Sequence, residues 1–274
     1  MRANNLVLYL RKCMRGIRPI KLVADELSSV SLPPLSRPRV APKQARTEEL
    51  IQWGTKLYAY SAIAHIHKIL GGLMLLADAE NVPAATIVGR HIFEWTAHAC
   101  YMSGKLKDCY GANDWEEAWI ILTPAIIGNM WARKYGDKYV PASRQTLPTV
   151  PDPLRIGIAV AMYEKYQLQV HGWEEAKDTY GLLSELSHPN AACLQHYQDF
   201  RSDGSVAIGY IETHGANSPL PFVNWCLIDV MLFLDALLQL AKDTTARAGI
   251  RRIVDELAKL APNKASVALR SAAP

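Results

Sequence analysis

The run WCLIDVMLFLDALLQLA, Trp225 to Ala241, is apolar on every face of the helix it can form, apart from Asp229, Asp235 and Gln239. A helix hydrophobic all round belongs inside other protein or inside a bilayer. The two aspartates separate these cases, because a carboxylate at a bilayer centre is costly. The expectation is therefore a buried helix in a soluble bundle, without membrane contact.

The rest of the chain supplies helices to surround it. From Thr47 a long pattern runs to Glu80, with Thr47 as N-cap, Glu48 and Glu49 in the first turn, and Gly71–Gly72 as a bend or a close helix crossing. Asn81 and Pro83 open a second helix through IVGRHIFEWTAHACYMSGKL. A third begins at NDWEE, is kinked by Pro124 and closes on Gly136. LRIGIAVAMYEKYQLQ and GWEEAKDTYGLLSELSH give two more, and IRRIVDELAKLA an amphipathic tail helix. Two extended runs around Ser202, Asp203 and Gly204 read as a hairpin near 196–211. The fold class expected is all-α: an antiparallel helical bundle of five or six long helices with one small β-hairpin insertion. The bundle spans 46–245, preceded by N-terminal helices and a proline-rich basic arm over 1–45 and followed by a C-terminal helix and tail over 246–274.

Composition excludes more than it assigns. A net charge of +4 on 274 residues is far from the concentrated charge of a dedicated nucleic-acid binder. Five scattered cysteines without a CxxC pair read as thiols in a reducing compartment, and the N-terminus lacks a signal-peptide core, so the cytoplasm is expected. No phosphate-binding glycine loop, GxSxG elbow or HExxH is present. His65 and His67 point to different sides of their helix, and Cys193 and His196 lack further partners, so no metal or cofactor is expected. His91, next to Arg90, is expected to face away from it.

Two polar stripes remain. Arg90, Glu94 and His98 recur every four residues on the second helix, and Tyr180, Ser184 and His188 do so on the helix that Pro189 stops. Arg90 and Glu94 can pair at i,i+4, and His98 could meet Ser184 or His188. The plainer alternative is structural: His188 sits at the helix C-terminus against orphan carbonyls, and Ser184 bonds back to the carbonyl of Tyr180.

The signature Y-x-x-x-S-E-x-S-H-P at Tyr180–Pro189, with R-x-x-x-E at Arg90 and Glu94 upstream, resembles a family of uncharacterised bacterial helical proteins. That family is distantly similar to the HEPN superfamily of nucleotide-binding helical bundles. The resemblance covers about residues 46–245. It implies a helical bundle, often a homodimer, and a metal-independent ribonuclease or an RNA-binding version in bacterial defence or stress systems. Arg90, Glu94, Ser184 and His188 would then be catalytic, with His98 and Tyr180 supporting. The chain departs from the superfamily in lacking an arginine and a histidine with four to six residues between them on one helix, so Arg90 and His188 would have to converge from different helices. The alternative is a non-catalytic interaction or structural module in which the same residues form a buried polar network. An enzyme needs an open cleft at Arg90 and His188; a structural network is closed and fully hydrogen-bonded.

Overall fold

Four of the helices begin where a short polar side chain, Thr47, Asn81, Asp114 or Asp243, takes up an orphan N–H. In a computed structural model of the chain, residues 17–36, 38, 47–79, 81–127, 156–171, 176–187, 198–200, 205–208 and 220–260 are described. Helix α1 spans Arg18–Ser28. Helix α2, Glu48–Asp78, is capped by Thr47, whose hydroxyl accepts from the Leu50 N–H at 3.3 Å. Helix α3, Val82–Ala112, is capped by Asn81 through the Ala84 N–H at 3.2 Å. It ends in a left-handed Asn113 (φ 53°), with Asp114 N–H returning to the Cys109 carbonyl. Asp114 then caps α4, Trp115–Ile127, from the Glu117 N–H at 2.9 Å. Pro124 lies within α4, and 128–136 lie outside the described residues. Helices α5 (Ile156–His171), α6 (Ala176–Ser187), α7 (Leu220–Leu240) and α8 (Thr244–Leu260) complete the helical set among the described residues.

Two three-residue strands, β1 (Gln198–Phe200) and β2 (Val206–Ile208), pair antiparallel with Asp199 opposite Ala207. They are the only strands among the described residues, and the fold class is all-α.

Helix α7 is the hub. The consecutive residues Leu227, Ile228, Asp229, Val230, Met231, Leu232 and Phe233 are all buried, which takes in its whole circumference. By length and composition, Glu48–Asp78 and Val223–Leu240 could each cross a membrane, but 78 % of the second window is buried against protein. The α3–α7 contact is the most extensive among the described helices. Tyr58 faces Trp95 and His65 faces His91, so α2 and α3 run antiparallel as expected. Helices α3 and α7 do not: Thr96 bonds to the Cys226 carbonyl, and Lys107 shares a cleft wall with Leu240, so these two run in the same direction. The uniformly antiparallel bundle is thereby corrected. Chain connections that pass around the molecule allow two core helices to be parallel.

The core also continues past residues 46 and 245. Ile20, Val23 and Leu27 of α1 and Ile250, Ile253 and Leu257 of α8 belong to the same buried cluster as α7. The α7–α8 elbow explains how. Lys242 turns left-handed (φ 54°), and Asp243 caps α8 through the Ala246 N–H. The other Asp243 oxygen accepts from the Tyr60 hydroxyl of α2 at 2.5 Å.

The glycine pair is a second correction. Helix α2 passes unbroken through Gly71 and Gly72, and a Cβ at either position would meet nothing within 4 Å. The close approach lies instead at Gly54, where a Cβ would come within 3.2 Å of Leu122 on α4. Gly71 and Gly72 therefore bring only the conformational entropy of the unfolded chain. Gly71→Ala and Gly72→Ala should each raise unfolding free energy by about 0.5–1 kcal/mol. Gly54→Ala should gain less, since Leu122 must move. Urea denaturation of the three variants checks the order, and an equal or larger gain at Gly54 contradicts it.

Candidate functional site

Helix α3 carries Arg90 and Glu94 on one stripe, and the pair forms as the spacing requires: Arg90 Nε donates to Glu94 Oε1 at 3.0 Å. The guanidinium also reaches across to α6. Its Nη2 donates to the Tyr180 hydroxyl at 3.3 Å, and its Cζ lies 5.5 Å from the centre of the Tyr180 ring. That ring is stacked on Phe93 at 6.0 Å, which fixes its orientation from the buried side. Of the six residues singled out from the sequence, Arg90, Glu94 and Tyr180 are brought together.

The remaining three divide. Ser184, one turn beyond Tyr180 on α6, has an enclosed hydroxyl with no hydrogen-bond partner among the described residues. The expected bond to the Tyr180 carbonyl and an alternative bond to His98 are therefore both absent. His98 is half-buried on α3, two turns beyond Arg90. His188 lies outside the described residues.

A histidine pair extends the cluster in a direction the sequence reading missed. His91 does not turn away from the Arg90–Glu94 pair: its Nδ1 is 3.8 Å from Glu94 Oε2, a charge contact longer than a hydrogen bond. Its Nε2 is 3.0 Å from Nε2 of His65 on α2. One of these two nitrogens must carry a proton and the other must present a lone pair, so both rings cannot be doubly protonated while the bond persists. His65 also packs at 5.1 Å on Trp95. The result is a polar line, Tyr180–Arg90–Glu94–His91–His65, that crosses from α6 over α3 to α2. The signal was present in the sequence: Glu94 stands at i+4 from Arg90 and at i+3 from His91, so one carboxylate can serve both.

The electrostatics follow this geometry. Burial pushes the Glu94 carboxyl up, but His91 and Arg90 together outweigh it and hold it below the usual glutamate value. Burial opposes the Arg90 charge, and the Tyr180 hydroxyl and Glu94 more than restore it, leaving the guanidinium still harder to deprotonate. Burial first, and His91 second, hold His65 below the ordinary imidazole value of 6.5. His65 is thus neutral near pH 7.

Among the described residues no group of three or more His, Cys, Asp or Glu side chains is placed to hold a metal ion. What the arrangement offers chemically is a fixed guanidinium, a phenol hydroxyl and a carboxylate-supported histidine pair.

Because the fold favours neutral His65, protonating it works against the folded state. Its contribution is fully present above pH 6.5 and is lost as pH falls below that value through the folded pKa. Ring-proton NMR titration should place the His65 midpoint below 6.5. His65→Gln should flatten the fall in Tm between about pH 7 and pH 5. A midpoint at or above the free-imidazole value contradicts the arrangement.

A scan against protein-family models, a search of curated proteins and a search of solved structures each give no match to this chain.

Proposed function

We propose that this chain is a HEPN-like helical protein directed at RNA, acting as a metal-independent ribonuclease or an RNA-binding component of a bacterial defence or stress system. The observation that carries the reading is the clamping of Arg90 between Glu94 and Tyr180 from two different helices, with about a fifth of its side-chain surface still open. A guanidinium oriented in advance binds phosphate oxygens with little further ordering, and it stabilises charge that builds on them during cleavage. In this proposal His188 removes the proton of a ribose 2′-hydroxyl and Arg90 neutralises the phosphate. Ser184 keeps a hydroxyl unused among the described residues one turn from Tyr180, and His98 supports the site from α3. Cytoplasmic location, separation from membranes and homodimer formation belong to the same proposal.

One observation favours a second reading. Two Arg90 nitrogens are already engaged, and the line from Tyr180 to His65 ties three helices together. A network of that kind fixes helix register in a non-catalytic interaction module.

An RNA-cleavage assay on purified protein in the presence of EDTA separates the two. The ribonuclease reading expects cleavage that persists under chelation and falls by about 100-fold or more in His188→Ala at unchanged Tm. Absence of both RNA cleavage and RNA binding in the parent protein, with Arg90→Ala lowering Tm, overturns it and leaves the structural module.

A further inference from the structure

A cleft of about 420 Å³ opens between α3, α5 and α7, and its lining divides sharply by chemistry. Cys100, Met162, Tyr166, Phe233 and Leu240 make a largely apolar floor, in which the buried Ser103 hydroxyl donates to the Cys100 carbonyl at 3.0 Å and Tyr166 packs edge-on against Phe233 at 4.7 Å. Burial, reinforced by the charge of Asp229, pushes the Cys100 thiol up to about 12, so it stays a neutral, apolar part of that floor. The rim is of another kind. Lys107 from α3 and Lys165 from α5 stand exposed at the mouth, and the exposed amides of Gln169 and Gln239 lie beside them.

Among the described residues no aspartate or glutamate contributes to the lining, and neither lysine forms an ion pair. The neighbouring Lys177 and Glu164 pair with each other instead, so the nearest carboxylate of α5 is already in use. The volume falls in the range of small-molecule sites, which combine apolar walls with a few directed polar groups. The cleft also lies well away from the Arg90 cluster, since Cys100 and Lys107 follow Arg90 by about 15–25 Å along the axis of α3.

We propose that this cleft binds an amphipathic organic anion: a carboxylate with a medium-length acyl or aromatic body, its apolar part on Tyr166 and Phe233 and its charge between Lys107 and Lys165. A larger polar ligand such as a nucleotide fits less well, because the floor has little with which to bond a base or a sugar. The site does not depend on the ribonuclease reading.

The test uses the full chain, with dodecanoate as probe and dodecanol as its uncharged counterpart, both followed by isothermal titration. Dodecanoate should bind saturably below its micellar range. The exposed pair Lys107→Glu/Lys165→Glu should weaken dodecanoate by about tenfold or more while leaving dodecanol binding unchanged. Ala236→Phe, which fills the cleft from α7, should abolish binding of both. Circular dichroism confirms that the variants are folded. Failure of dodecanoate to saturate overturns the proposal, as does binding unaffected by Ala236→Phe. Equal loss of dodecanoate and dodecanol in the lysine variant overturns the assigned role of the charges.

Discussion

Asp229 and Asp235 sit inside the apolar hub helix at 3 % exposure each, and a buried carboxylate is tolerated only where neighbours supply donors. Both are answered. The Tyr163 hydroxyl of α5 donates to Asp229 at 2.6 Å, and burial together with the Asp229 charge keeps that phenol protonated. Arg247 and Arg251, one turn apart on α8, both donate to Asp235, at 2.9 and 3.0 Å through their Nε atoms. These bonds are directional where hydrophobic contact is not. They set the rotation of α7 about its axis and the positions of α5 and α8 against it. Helix α3, packed along α7, inherits that frame.

Helix α3 then divides its length between two kinds of chemistry. Its first half presents Arg90, His91 and Glu94 to α6 and α2 in a line of charged and hydrogen-bonded groups. Its second half forms a wall of the cleft with α5 and α7, where the charged groups stand at the mouth. The parallel course of α3 and α7 makes this division possible. The two helices enter the cleft together at Cys100 and Phe233 and leave it together at Lys107 and Leu240.

Local chemistry was legible in the sequence; partners distant along the chain were not. The caps at Thr47, Asn81 and Asp114 announce themselves by residue type and by the acidic or proline residues that follow. The all-apolar face of α7 declares a buried helix. The Arg90–Glu94 pair follows from its spacing. By contrast, nothing within α7 names Arg247 and Arg251 as the partners of Asp235, and nothing within α3 names His65 as the partner of His91. Gly71–Gly72 misled because a glycine pair in a helix has the same appearance whether it admits a neighbour or faces open space; only the packing at Gly54 shows where α2 and α4 approach closely. The parallel pairing of α3 and α7 was hidden for a similar reason, since helix periodicity carries no direction.

The central claim is that the buried carboxylates of α7 hold their neighbours through specific bonds and are not merely accommodated. A double-mutant cycle between Tyr163→Phe and Asp229→Leu, read by urea unfolding, tests it most directly. Removing the Tyr163 hydroxyl should cost about 1–3 kcal/mol opposite Asp229 and close to nothing opposite leucine, giving a coupling of at least about 1 kcal/mol. Additivity within about 0.5 kcal/mol would contradict the claim, leaving apolar packing as what sets the arrangement of α5, α7 and α8.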